Sequence, residues 1–236
     1  LVPIVNPANA RPMIAVANML TPPGIGRVLL LSVVMKPAAE SPESAARQLE
    51  NAQQVLKESL TAAFRAHLYP EALTTVAEAP WNEISRVANA HRCESLVLGL
   101  THFSGEETEN RLEMLMNAVD CDVVVLKAPE GWRLSEVKKV LVPAGGKSVN
   151  YMLRTRILGS LWRINKPEIA FMRILPEHLK TEDMKHAWHQ LVDVAGEEVP
   201  DIPRIIVVQN DSVEEAVLEE AARSDLLVMG LQHSGR

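Results

Sequence analysis

The sequence predicts an α/β protein of two tandem domains, each a mainly parallel five-stranded sheet flanked by helices, with the second copy incomplete. Three observations carry this. Short apolar runs alternate with longer segments of helical period, the pattern of parallel strands covered on both faces by helices. Two landmarks recur in the same order: "LVPIVNPANA" at 1–10 reappears as "LVPAGGKSVN" at 141–150, and "LVLGLTHFSG" at 96–105 as "LVMGLQHSG" at 227–235. The 236 residues are 47% hydrophobic, enough for two cores of about 100 residues each.

In the first half, strands are expected near 1–5, 27–34, 72–77, 95–99 and 122–127. Between the second and third lies a long helix with Leu49, Ala52, Leu56, Leu60, Phe64 and Leu68 on one face, started by Ser41 as N-cap and Pro42 at the first helical position. A further helix is expected near 106–120. The domains are bounded as 1–128 and 137–236, with 129–136 as linker. In the second half, strands fall near 138–143, 168–175, 204–208 and 225–230, the last preceded by a helix opened by Asp211 and Glu214 at capping-box spacing. Counterparts of the helix near 106–120 and the strand at 122–127 are missing from this copy. A sheet one strand short has an edge that invites pairing, so a homodimer is expected.

Composition narrows the function classes. A formal charge of −6 without a run of Lys or Arg argues against nucleic acid or anionic lipid as the main partner. The only two cysteines, Cys93 and Cys121, fit a reducing compartment and read as free thiols. Apolar stretches such as "VLLL" at 28–31 and "DVVVL" at 122–126 are far too short to span a bilayer. There is no initiator Met, and Leu1 already lies inside an apolar strand pattern, so the chain reads as part of something longer.

The Leu-Val-Pro first strand, the alternation of five strands with four helices and the glycine-containing loop after the fourth strand closely resemble the universal stress protein family, as two tandem copies. The resemblance implies an adenine nucleotide alpha hydrolase-like fold, and many members of that family bind ATP. More narrowly, "VLVPAGGKSVNYMLRTRILGSL", "IAFMRILPE" and "SDLLVMGLQHSGR" resemble the paired stress-protein-like domains at the cytoplasmic C-terminus of amino acid permeases and related cation-chloride cotransporters. That resemblance implies a regulatory or assembly role at the cytoplasmic face of the cell membrane, with the transporter's membrane-embedded domain as partner.

Family members that bind ATP carry Gly, two residues, Gly, nine residues, then Gly with Ser or Thr, because small residues let backbone amides reach the phosphates. Counted from Gly99, the second glycine position holds His102 and the third element falls on Leu112 and Glu113; Gly105 is the last glycine before Gly131. Glu106, Glu107 and Glu109 at the following helix start already complement the dipole and would repel a polyphosphate. The acidic residue that the family uses after its first strand is replaced by Val5 and Asn6 in copy one and by Gly145 and Gly146 in copy two. The first loop therefore reads as a degenerate nucleotide loop of Gly99, His102 and Gly105.

Copy two repeats that loop as Gly230, His233 and Gly235. The segment Gly145, Gly146, Lys147 and Ser148 offers either a tight strand-to-helix turn or a small-anion site; a Walker reading fails because Leu141 stands where that motif needs glycine.

Elsewhere, Glu182, His186 and His189 lie at helical spacing, but no further ligand closes a metal site. His102 and His233 recur at matching positions, which duplication alone explains. Met114, Met116 and Trp162 read as core or interface packing, and Trp81 and Trp132 as anchors of loops or of a domain interface. No nucleophile elbow, Ser or Cys with a His base, or paired-carboxylate motif is present. The expectation is a non-catalytic regulatory or assembly domain of an amino acid permease-like transporter, with no cofactor and room for a small-molecule effector. The alternatives are a free-standing tandem stress protein that binds a nucleotide or small anion, and an adenine-nucleotide-dependent enzyme.

Overall fold

The computed structural model describes residues 1–22, 24–36, 42–100, 106–145 and 151–230. The chain divides into two compact units, Leu1–Leu134 and Ser135–Arg236. Unit 1 runs β1 (Val2–Pro3), α1 (Ala10–Leu20), β2 (Leu29–Met35), α2 (Pro42–Arg65), β3 (Glu71–Ala77), α3 (Pro80–Ala90), β4 (Ser95–Gly99), α4 (Glu106–Ala118) and β5 (Asp122–Leu126). All strand pairs are parallel, in a three-stranded sheet β1-β2-β3 and a two-stranded sheet β4-β5.

The two sheets meet at one residue. The Leu1 nitrogen donates to Ser95 O at 2.8 Å, and Val97 N donates to Leu1 O at 2.9 Å, which sets the spatial order β3-β2-β1-β4-β5. The single five-stranded sheet expected from the sequence is thus two sheets joined by two hydrogen bonds. The reason is local: β1 is two residues long, Pro3 has no N–H to give, and Asn6 turns the chain by accepting from Ala8 N at 2.9 Å.

α1 packs against α2 and α3 against α4, the arrangement in which right-handed crossovers set the two pairs on opposite faces of the sheet. Strand alternation sends Leu31 of β2 and Leu96 and Leu98 of β4 into a core with Ile84 and Val87 of α3 and Leu112 and Leu115 of α4. On the opposite face, α1 buries Met13, Ile14, Val16, Ala17, Met19 and Leu20.

The buried stripe of α2 is rotated from the expected one. Leu56, Ser59 and Ala63 are buried, whereas Leu49 and Phe64 are 40% and 49% exposed. Ser59 tolerates full burial because its hydroxyl donates to Val55 O at 2.7 Å, within the helix itself. The helix begins at Pro42 as expected, while Ser41 lies outside the described residues.

Unit 2 runs β6 (Lys139–Pro143), α5 (Tyr151–Asn165), β7 (Glu168–Leu175), α6 (Thr181–Glu198), β8 (Arg204–Gln209), α7 (Val213–Ala221) and β9 (Leu226–Leu227), in one parallel sheet ordered β8-β7-β6-β9. Leu141 pairs with Leu227, as Leu1 sits between Ser95 and Val97 in unit 1, so the recurring sequence landmarks occupy matching places in the two sheets. Alternate residues Leu141, Ala170 and Met172 pack with Ala216 of α7. The intervening Val140, Val142 and Phe171 are buried toward the α5–α6 layer.

That layer contains an ion pair. Arg154 of α5 donates Nε to Glu198 Oε2 at 2.7 Å and Nη2 to Oε1, with side chains 10% and 0% exposed. The bidentate geometry satisfies both charges where water cannot.

The start of α7 differs from expectation. Its N-cap is Ser212, whose Oγ accepts from Glu215 N at 3.3 Å, while Asp211 instead accepts from Glu177 N at 3.1 Å and ties down the loop after β7. Asx residues satisfy whichever amide the fold places nearest, and here that amide is distant in sequence.

Candidate functional site

In open parallel α/β sheets, ligands bind beyond the carboxyl ends of the strands where the strand order reverses. In unit 1 that point lies between β1 and β4. β1 ends at Pro3 and β4 at Gly99, whose successor Leu100 donates to Leu126 O at 3.1 Å and holds the β4 exit against β5.

Gly99 is the one residue of the degenerate loop that the structure describes; His102 and Gly105 lie outside the described residues. Its lack of a side chain has a packing reason. A Cβ there would stand 2.4 Å from Met13 Sδ, 3.2 Å from its Cε and 3.3 Å from its Cγ. Met13 projects from α1, is only 4% exposed, and occupies the mouth of the crevice. The space that remains, lined by Asn9, Pro12, Met13, Gly99, Leu100, Leu126 and Ala128, is about 20 Å³. That is room for a single water molecule and far from the several hundred Å³ of a drug-sized ligand site.

The position after β1 carries no chemistry toward the crevice either. Val5 is 90% exposed, and the Asn6 side chain is spent on its own turn. At the start of α4, Glu107 is ion-paired with Arg111 one turn on.

In unit 2, β6 leads through Ala144, whose N–H donates to Met172 O at 2.7 Å, to Gly145. Among the described residues, no atom lies within 4 Å of a Cβ built at Gly145, so none of them demands glycine there as Met13 does at Gly99. Gly146, Lys147 and Ser148, together with His233 and Gly235, lie outside the described residues.

Glu182, His186 and His189 share α6 without converging. Gln190 Nε2 lies 2.8 Å from His186 Nε2, and the His189 ring meets Trp188 edge-on at 5.1 Å. Among the described residues, no group of three His, Cys, Asp or Glu side chains stands where it could hold a metal ion. Cys93 and Cys121 are free, half-buried thiols against the unit 1 core, and burial, with Cys93 adding to it, pushes the Cys121 thiol up.

Met114 is 69% exposed, so of the core or interface place expected for it the core is excluded, because α4 turns Leu112 and Leu115 inward instead. Trp81 and Met116 do pack on that core. Trp162 is half-buried beneath the Lys166 ammonium, 5.6 Å from the ring. No described helix is long and apolar enough to cross a membrane.

Sequence reasoning missed Met13, because a methionine in an apolar helical stripe looks like ordinary core. The available signal was the pair: a glycine closing an apolar strand, and a long thioether on the first helix of the same unit.

No protein-family model matches this sequence, and neither does any curated protein. Among solved structures, a universal stress protein from Archaeoglobus fulgidus DSM 4304 is similar over 97% of this chain and 82% of its own, with a TM-score of 0.66 at 14% identity. The cytoplasmic domain of a prokaryotic cation chloride cotransporter is similar over 98% of this chain and 84% of its own, with a TM-score of 0.55 at 12% identity. At these identities the likeness is one of architecture: this chain shares the parallel α/β fold of a universal stress protein and of a transporter's cytoplasmic domain.

Proposed function

We propose that this chain is a non-catalytic regulatory or assembly module of a membrane transporter of the amino acid permease type, built from two tandem stress-protein-like domains on the cytoplasmic face of the membrane. The observation that carries the reading is the likeness in fold, over nearly the whole chain, to a cotransporter's cytoplasmic domain. The Met13–Gly99 contact supports it, since the crevice at the strand-order switch of unit 1 is filled by the protein's own side chain. The recurrence of Leu1 beside β4 and Leu141 beside Leu227 supports the tandem arrangement. The test is fractionation of the full polypeptide encoded by the gene. It is expected in the membrane fraction, with spanning segments in the same chain; a product that is wholly soluble refutes the reading.

The module self-associates in this proposal. Among the described residues no strand lies beyond β9, where Leu226 and Leu227 are half-exposed and Met229 is 59% exposed. Light scattering that finds a monomer at every concentration would remove this part.

The second reading is a free-standing tandem stress protein that binds a nucleotide or small anion near Gly145, Gly146, Lys147 and Ser148, favoured by the likeness to the archaeal stress protein. Thermal unfolding with millimolar ATP, ADP, AMP and cyclic nucleotides separates the two. A ligand at about 100 times its dissociation constant adds about 2.7 kcal/mol, roughly 5–10 °C for a chain of this size. A rise of that size selects the second reading.

A further inference from the structure

We propose that a cleft at the opposite end of unit 1, between the C-terminal ends of α1 and α2, binds a small zwitterion of amino-acid size, with its carboxylate on Arg27 and its ammonium on Glu71. The inference does not rest on the transporter reading. The cleft has a volume of about 180 Å³. That is the space of about six water molecules at ~30 Å³ each, too small for a nucleotide and suited to a single small metabolite.

Its floor is apolar, with Ile14, Val28 and Pro70 all buried. Its rim carries both signs of charge. Arg27 Nη1 donates to Glu71 Oε1 at 3.0 Å, one N–H···O contact between side chains 78% and 57% exposed. A guanidinium has five donors and a carboxylate about four acceptor sites, so this contact leaves most of both groups free for a ligand. An exposed pair of this kind contributes little to folding, and its charges can be re-partnered without cost to the fold.

A simple anion at this place meets the Glu71 carboxylate, and a simple cation meets the Arg27 guanidinium. Only a molecule with adjacent opposite charges satisfies both, and an apolar substituent then lies on the floor. The C-terminal ends of α1 and α2 carry the negative ends of two helix dipoles, which favours the ammonium pole.

The walls are held in place before any ligand arrives. A Cβ at Gly26 would stand 2.2 Å from Thr21 Cγ2, and the Thr21 hydroxyl donates to Ala17 O at 2.7 Å, so the turn at one wall fits only glycine. Gly26 N donates to Pro22 O at 3.0 Å across the same turn. The Tyr69 ring, 76% exposed, is kept at the other wall by the Phe64 ring 5.9 Å away. Such pre-organisation lowers the entropy lost on binding.

The test is a titration of the 236-residue chain, followed by amide NMR shifts, with three probes that share one branched apolar end: valine, isobutylamine, which lacks its carboxylate, and isovalerate, which lacks its ammonium. Valine is expected to give saturable shifts at Asn18, Arg27, His67 and Glu71. The amine and the acid are expected to bind at least tenfold more weakly, about 1.4 kcal/mol. Arg27→Gln and Glu71→Gln are each expected to weaken valine at least tenfold with an unchanged unfolding midpoint, both residues being exposed. The proposal is overturned if valine gives no saturable shift at these residues, if all three probes bind alike, or if either variant, still folded, keeps the affinity of the parent.

Discussion

Replacing Gly99 with Ala tests whether that glycine answers to packing. The new Cβ would stand 2.4 Å from Met13 Sδ, against a comfortable separation of ~3.5 Å or more. Met13 is 4% exposed, so its thioether has no open solvent to swing into and must displace α1 or leave its rotamer. Overpacking of this kind costs about 1–3 kcal/mol, a fall of roughly 3–15 °C in the melting of unit 1.

Met13→Ala alone costs about 2–5 kcal/mol through the cavity it leaves. In the double variant the alanine methyl enters that cavity, so the two losses are expected to fall short of additive by at least about 1 kcal/mol. The assay is urea unfolding of all four proteins, read by probes placed in each unit, because two units need not unfold together. A neutral Gly99→Ala, or strictly additive losses, would refute the packing account and return Gly99 to the loop chemistry that its position at the end of β4 suggests.

Three further outcomes follow from the geometry. Arg154→Met should lower the stability of unit 2 by about 3–5 kcal/mol, since Glu198 would be left charged and buried, and Arg154→Met with Glu198→Leu should recover most of the loss; equal instability of both variants in urea would contradict this. Arg92, at φ 49°, sits in the left-handed position after α3 that usually holds glycine, so Arg92→Gly should raise the urea midpoint by the equivalent of about 0.5–1 kcal/mol, net of the lost cation at the helix end; a fall would contradict it. Asp225 accepts from the N–H groups of Lys138 and Lys139, both at 2.9 Å, and these bonds hold its carboxyl below the usual range, so its stabilising contribution is complete above the ordinary carboxylate value and is lost as pH falls through the lower folded value. Asp225→Ala should therefore make acid unfolding shallower below about pH 4, and an unchanged acid limb would remove Asp225 as a cause.

The type and chain order of the described strands in both units were readable from the sequence, because apolar runs and helical stripes are set by neighbours a few residues away. The helix started by Pro42 was legible in the same way.

Only the tertiary structure could decide what depends on residues far apart in the chain. Which side of α2 faces inward was settled by Ser59, a polar residue that satisfies itself inside the helix and so escapes a reading based on hydrophobic spacing. The cap of α7 passed from Asp211 to Ser212 because a distant amide at Glu177 claimed the aspartate. The role of Gly99 became visible only with Met13 against it, and the Arg27–Glu71 cleft only once the turns before β2 and β3 stood next to each other. Periodicity constrains the face that each element offers; the size, charge and hydrogen-bonding capacity of what arrives from elsewhere in the chain determine what that face does.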